Sequence, residues 1–351
     1  MELAVKKFKD INLDDPFFDS LKASYKEFSD WFKRKAEDST YIFENENGTI
    51  DGFLYLKVEN GPISDVTPPL PSARRLKVGT LKINAHGTKM GERFVKKIID
   101  HAVHEDIDEI YVTVFAEHDG LIRLLSKYGF EVIGSKTTAN GTEEVMLKSL
   151  KGSFKNIYDS YPVVSLDGAE CYVLAIKPEW HTRLLPDSIL NNESNDIVED
   201  ISHANSIHKV YLTSMNGIEK LKQGDVVVIY RMTDGKGPAH YRSVATSICV
   251  IEEYRDINSF SNRQEFFSYC RPHSVFTQDE LNYFWNSKRF RHVFKFTYNI
   301  AFKKRVTRGV MIEEIGLPAS EYWGFFGINK QQLLSIAAKG EVDESLIVNK
   351  A

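Results

Sequence analysis

The residues most able to do chemistry in the first half of the chain sit in one short run, His86-Gly-Thr-Lys-Met-Gly91. A strand-like segment, Leu76–Asn84, leads into it, and an amphipathic helix pattern follows at once. Gly87 and Gly91 let a backbone approach a ligand closely, and the first N–H groups of a helix point outward with the positive end of its dipole behind them. Thr88 and Lys89 add a hydroxyl and a cation, so the run suits a diphosphate; the same glycines also suit a plain turn before a helix. A second concentration lies near the other end. Lys288, Arg289, Arg291, Lys295, Lys303, Lys304, Arg305 and Arg308 fall between Glu280 and Glu313 with no acid among them. Tyr283, Phe284, Trp285, Phe290, Phe294, Phe296, Tyr298 and Phe302 are interleaved with them. Cations neutralise phosphates and rings stack on bases. A pair of strands with a ring face buried and a cation face in water produces the same pattern, and Phe290, Phe294, Phe296 and Tyr298 share one parity. His101 and His104 stand one helical turn apart without a third ligand, which reads as a solvated face and no metal site. Cys171, Cys249 and Cys270 form no C-x-x-C pair and read as buried thiols of a reducing compartment.

These groups must be positioned by elements that the patterning supplies. Residues 1–150 alternate strand and helix signals. Leu3–Phe8, Thr40–Phe43, Phe53–Val58, Lys77–Asn84, Ile110–Phe115, Glu131–Gly134 and Val145–Leu147 read as strands. Pro16–Asp38 reads as one helix with a stripe of Phe17, Leu21, Tyr25, Phe28 and Phe32, and Gly91–Val103 and Leu121–Tyr128 read as two more. Pro62–Pro71 reads as irregular. Residues beyond 150 are predominantly β, with strands at Tyr172–Ile176, Lys209–Thr213, Asp225–Arg231 and Ser243–Glu252 and helices at Glu179–Leu185 and Arg263–Tyr269. Asp187–Ser206 is polar and acid-rich, and reads as a mobile loop. With 351 residues, two domains are expected: 1–150, a linker at 151–167, a second domain at 168–337 and a tail at 338–351. The net charge of −4 belongs wholly to the first part, which carries 21 Lys+Arg against 25 Asp+Glu, while the remainder carries 24 of each. No run approaches the roughly 20 apolar residues of a membrane span, and MELAVKKFKDIN lacks the apolar core of a signal peptide; a cytoplasmic protein is expected.

The order strand, phosphate-type loop, helix, strand, helix, Gly129-Phe130, strand resembles the Gcn5-related N-acetyltransferase (GNAT) superfamily over about residues 1–150. In that family's loop, Arg/Gln-x-x-Gly-x-Gly/Ala, His86 takes the Arg/Gln position, Lys89 the first small position and Gly91 the last. The segment from His118 to Gly134 looks like the family's Asn-x-x-Ala-x-x-Leu-Tyr-x-x-x-Gly-Phe, with His118 for Asn, Leu121 for Ala and Leu125 where Tyr is common. The resemblance implies acetyl-CoA as donor and an amine as acceptor. Backbone N–H groups around Leu81 and Ile83 would hold the thioester carbonyl, and the amides of His86, Gly87, Thr88, Lys89, Met90, Gly91 and Glu92 would hold the pyrophosphate. The chemistry needs a proton acceptor and a proton donor to the leaving thiolate. Glu117 and His118, past the strand ending at Phe115, and His86 are the implied acceptors; each also fits a solvated loop position or a cap. Tyr128, one turn after Leu125, is the implied donor, or a core aromatic.

The run Leu174-Ala-Ile-Lys-Pro-Glu-Trp-His-Thr-Arg-Leu-Leu185 looks like the opening of ASCH domains, relatives of PUA folds, and the resemblance covers about 168–335. That family's Gly-x-Lys-x-x-Glu-x-Arg stretch is not evident. The resemblance implies a small β-barrel and a nucleic-acid or nucleotide pocket with Lys177 and Trp180 near its mouth, and makes Lys288, Arg289, Arg291, Lys303, Lys304 and Arg305 candidates for RNA or DNA. The expected fold class is therefore α/β (α+β): a mixed sheet flanked by helices, followed by a PUA/ASCH-like β-barrel. The expected activity is acetyl-CoA-dependent N-acetylation of an amine, with the second domain selecting the substrate. The alternative is a nucleic-acid-binding protein whose first domain senses acyl-CoA without catalysis. A toxin–antitoxin component acting on aminoacyl-tRNA is a third reading that the residues do not separate from the first.

Overall fold

The computed structural model describes residues 2–45, 47–84, 89–188 and 206–349. His86, Gly87 and Thr88, and most of the acid-rich segment 187–206, lie outside the described residues. The chain divides into two compact units, Met1–Ser153 and Phe154–Ala351.

The first unit runs β1 (Glu2–Lys7), α1 (Asp19–Ser24), α2 (Phe28–Arg34), β2 (Ser39–Glu44), β3 (Ile50–Ile63), β4 (Leu70–Ile83), α3 (Met90–His104), β5 (Glu109–Phe115), α4 (Asp119–Lys127), β6 (Glu131–Thr138) and β7 (Gly141–Ser149). Its seven strands are ordered β1-β2-β3-β4-β5-β7-β6. All neighbours are antiparallel except β4 and β5, whose parallel pairing extends only from Arg75↔Glu109 to Val78↔Val112. α3 covers one face: Phe94, Val95, Ile98, Ile99 and Ala102 are fully buried, and the Phe94 ring meets Phe43 at 4.8 Å. The opposite face carries an aromatic cluster, in which Phe18 and Phe32 pack edge-on against Phe53 and Phe8 at 5.4 and 4.7 Å.

The helix expected over Pro16–Asp38 is instead a 3₁₀ turn at Pro16–Phe18 followed by α1 and α2, separated at Tyr25. Tyr25 is extended (φ −128°, ψ 103°), which turns its ring away from the helical stripe and towards Phe115, 5.5 Å away. β3 and β4 are longer than alternation indicates, because the proline-rich connection is confined to the residues between Ile63 and Leu70.

The second unit contains β8 (Val164–Ser165), β9 (Cys171–Ile176), α5 (Pro178–Leu184), β10 (His208–Thr213), β11 (Val226–Arg231), α6 (Ala239–Arg242), β12 (Val244–Asp256), α7 (Arg263–Cys270), α8 (Gln278–Ser287), β13 (His292–Thr307), α9 (Arg308–Glu313), β14 (Phe325–Ile328), α10 (Lys330–Lys339) and β15 (Ile347–Val348). Six strands form one sheet, β10-β13-β12-β11-β9-β14, with β9 and β11 parallel. Side chains of β9 to β13, α5, α7 and α8 share a single core. The stretches read as linker and tail meet, since β15 pairs with β8. The whole chain is mixed α/β, and among the described residues no helix is long and apolar enough to cross a membrane.

Candidate functional site

Beyond Val78 and Val112, β4 and β5 separate, and the cause is local. The register between β3 and β4 shifts between Tyr55 and Leu56, leaving Gly79 outside the ladder as a bulge. A Cβ at Gly79 would lie 2.8 Å from the Tyr55 ring, so the bulge requires glycine. A bulge adds twist and turns its strand; here β4 leaves β5 directly after it, while β3 still pairs with β4 as far as Gly52↔Ile83. The β4 edge over Thr80–Ile83 therefore faces β5 without a ladder partner, and its outward N–H groups point into the opening.

That opening is a cavity of about 870 Å³. Its middle is lined by residues 79–83 of β4 and 112–115 of β5. On one side it reaches Gly91 of α3 and Leu121 and Leu124 of α4; on the other it reaches Tyr25, Phe28 and Trp31. Gly91 brings α3 and α4 together, for a Cβ there would be 2.7 Å from a Leu124 methyl. The α3 N-cap, Lys89, is half-buried and makes no capping side-chain bond, so no such bond occupies the first N–H groups of this long helix. Met90 is buried, and Glu92 is turned to Lys127 at 3.3 Å. Leu81 and Ile83 both line the cavity.

The other candidate residues of this unit separate. Glu117 and His118 are exposed at the cavity rim, with His118 at the α4 N-cap and its ring 6.4 Å from Phe115. Tyr128 is fully buried at the other end of α4, under the Lys127 ammonium, and does not line the cavity. Leu125 is buried as well. α4 thus offers the cavity Asp119, Gly120, Leu121 and Leu124, and no phenol.

Two residues that sequence reasoning passed over stand at the far wall. The Tyr25 hydroxyl donates to Glu143 Oε1 at 2.7 Å, and Glu143 is only 5% exposed. Burial, reinforced by the bond to Glu143, pushes the Tyr25 phenol far above its usual range, so it remains a donor. Beside it, Asn140 Nδ2 reaches both oxygens of Glu27 at 2.9 and 3.0 Å and holds that carboxyl below its usual range. Lys82 donates to Ser20 Oγ at 2.6 Å and lies 4.7 Å over the Phe17 ring, with burial pulling its pKa down. Tyr25 looked like one more member of an apolar stripe. Glu143 did carry a readable signal: it lies two residues before buried Val145, and so on the inward face of its strand.

The cationic run of the second unit is not a pair of strands. Tyr283, Phe284 and Trp285 belong to α8, and a single long strand, β13, follows. Phe294, Phe296 and Tyr298 are buried as the shared parity requires, and so is Phe302, whereas Phe290 precedes β13 and is half-buried. The cations diverge. Lys288, in a left-handed C-cap, lies 3.0 Å over Trp285, Arg291 is paired with Asp256 at 2.5 Å, and Lys295 with Glu252 at 3.1 Å. Arg305 is half-buried and turns back to the Phe302 carbonyl, while Arg289, Lys303 and Lys304 are exposed. Lys177 is exposed and 5.3 Å over Trp180. Trp180 is itself wedged against Tyr211, Phe276 and Phe290, with its indole N–H donating to Glu280 at 3.3 Å. All three cysteines are buried and unbridged, and no cluster of three metal-ligating side chains occurs among the described residues.

A mixed sheet opened at its one parallel pair and flanked by helices defines the class of the first unit. No protein-family model matches the chain, and no curated protein matches it. Among solved structures, the chain is similar to an aminoglycoside 6'-acetyltransferase type Ii, at 14% identity over 44% of this chain and 100% of that one, with a TM-score of 0.33. It is similar to Ard1 from Thermoplasma volcanium at 13% identity over 43% and 100%, with a TM-score of 0.32. A third likeness, to a mutant form of the ASCH protein of Zymomonas mobilis, has 9% identity over 48% and 95% and a TM-score of 0.30. These are likenesses of fold.

Proposed function

We propose that the first unit is an acetyl-CoA-dependent N-acetyltransferase acting on an amine. The observation that carries this reading is the opening between β4 and β5, with a ligand-sized cavity running through it from the start of α3 to the aromatic wall of α1 and α2. The residues fit the donor. On this reading the backbone N–H groups at the start of α3, which the Lys89 side chain does not cap, would hold the anionic diphosphate, and the β4 edge at Leu81 and Ile83 would offer N–H groups to the carbonyl oxygen. Acetyl-CoA supplies an acetyl group activated as a thioester. The chain would supply the slot, backbone N–H donors for the carbonyl, and carboxylates and an imidazole on the acceptor side, among which Glu117 and His118 stand at the rim. Tyr128, buried away from the cavity, has no part in this reading.

The absence of a phenol on the α4 segment that lines the cavity favours one second reading, a binding site for acyl-CoA that does not turn over. For the second unit we propose RNA or DNA on the exposed Arg289, Lys303 and Lys304, with Arg291, Lys288 and Lys295 excluded by the partners they already hold. Calorimetric titration of the full chain with acetyl-CoA, with amide exchange followed at Lys89–Glu92, tests the first reading. Binding with protection of those amides is expected, and no binding overturns it. Sustained CoA release with an amine rules out the non-catalytic alternative.

A further inference from the structure

We infer that Glu143 is the carboxylate that receives the acceptor as an ammonium ion and takes its proton, that Tyr25 positions it, and that the acceptor is an aliphatic primary amine. The inference rests on the acetyltransferase reading above.

Glu143 is a charged side chain on the inward face of β7, 5% exposed, in the wall of the cavity beside the β4–β5 opening. Phe115, at the end of β5, lies directly opposite it in register. A carboxylate so placed needs partners. The cation nearest in register is Lys136 on β6, but its ammonium is engaged by Asp65 at 2.6 Å. Glu143 instead accepts a hydrogen bond from the Tyr25 hydroxyl on Oε1. A hydroxyl leaves the carboxylate its full charge, fixes one of its oxygens and leaves acceptor capacity on the other. The same wall presents the rings of Tyr25, Phe28, Trp31 and Phe115, whose faces attract a cation as well as an alkyl stem. Glu27 and Glu117 add negative charge nearby, though Asn140 already engages Glu27. Lys77, Lys82 and Lys136 also line the cavity, engaged by Glu59 at 3.8 Å, Ser20 at 2.6 Å and Asp65 at 2.6 Å, and the Glu143 carboxylate set among ring faces suits an amine that is protonated at neutral pH. The exocyclic amine of a nucleobase is uncharged there and does not need it.

The step balances without a further reactant. Glu143 takes one proton from the ammonium; the freed nitrogen pair forms the N–C bond to the acetyl carbon; the C–S bond breaks with its electron pair leaving on sulfur. The second proton, lost by the now cationic nitrogen, ends on that sulfur to give the thiol, and Glu143 returns its own proton to solvent. Tyr25 donates to Glu143 throughout and loses no proton.

The test uses the full chain with acetyl-CoA and follows CoA release with phenethylamine, spermidine, cytidine and adenosine. Binding of phenethylamine in the presence of CoA is measured separately by calorimetry. Turnover of the alkylamines and not of the nucleosides is expected. Glu143→Gln should lower kcat/KM for the alkylamine by about 100-fold or more and abolish phenethylamine binding, with acetyl-CoA affinity within about twofold of wild type. Tyr25→Phe, which keeps the ring and loses the donor, should cost about tenfold, in KM as well as kcat, because the carboxylate loses its fixed orientation. Glu143→Asp should recover part of the lost activity, which a purely structural role would not. Three results overturn the inference while leaving the reading intact: turnover within about twofold of wild type in Glu143→Gln, preference for the nucleosides, or acetyl-CoA binding with no alkylamine either bound or acetylated. Failure of acetyl-CoA to bind wild type overturns the reading itself.

Discussion

At the scale of single residues, the sharpest constraints come from places where space or solvent is missing. Gly91 is one. A valine there would drive its side chain into Leu124, so Gly91→Val should destabilise the first unit by about 1–3 kcal/mol, measured by urea unfolding, and should weaken acetyl-CoA binding in calorimetry by separating α3 from α4. His181 is another. Its ring is fully buried, with Nε2 2.9 Å from Thr246 Oγ1 and Nδ1 without a hydrogen-bond partner among the described residues. Burial first, then the charges of Arg231 and Arg305, pull its pKa down to about 3. A base whose pKa is lower folded than unfolded stays neutral in the native state, while the unfolded chain gains a proton below about pH 6.5. Stability should therefore fall as pH drops from about 6.5 to 5, by up to about 2 kcal/mol. Urea midpoints at the two pH values measure this, and His181→Gln should flatten the difference.

At the scale of elements, local signals and tertiary packing can be told apart. α8 begins with a reciprocal cap: Thr277 Oγ1 accepts from the Glu280 N–H at 3.1 Å, and Glu280 Oε2 accepts from the Thr277 N–H at 2.7 Å. Thr277→Ala should cost the second unit about 1 kcal/mol in urea unfolding. That Thr-x-x-Glu signal was present in the sequence, yet the rings and cations after it read as strands because Phe294, Phe296 and Tyr298 alternate so regularly. The alternation is real but belongs only to β13. The α1–α2 break was not legible, since Phe17, Leu21, Tyr25, Phe28 and Phe32 keep helical spacing across it. What breaks the helix is the pull of Tyr25 towards Phe115 and Glu143, residues about a hundred positions away that no local window contains. The strands of the slot were legible as strands; that two of them part at a bulge was not, because Gly79 gains its meaning only against Tyr55 on the next strand.

At the scale of the whole molecule, the two units differ in chemistry. The first carries the excess of acid and the cavity, and the second carries the cationic run. If nucleic acid is bound, the double variant Lys303→Ala, Lys304→Ala should reduce the slope of log affinity against log salt by about 1–2, whereas Arg291→Ala, which removes a cation already paired with Asp256, should leave it nearly unchanged. Filter binding across a salt series measures both. The three cysteines are buried in the second unit, and burial raises all their thiols, Cys171 to about 11. A chromogenic disulfide should leave the native protein unlabelled and titrate three thiols after denaturation.

The sequence alone determined the succession of strands and helices around His86–Gly91, the mixed α/β class and the buried parity of the β13 rings, because these follow from patterns a few residues long. Only the tertiary structure decided which side chains meet. It brought Tyr25 to Glu143, directed Lys136 to Asp65 and Arg291 to Asp256, and buried Tyr128 at the end of α4. Those pairings depend on how far apart neighbouring strands lie and which way each is twisted, and no single segment carries that information.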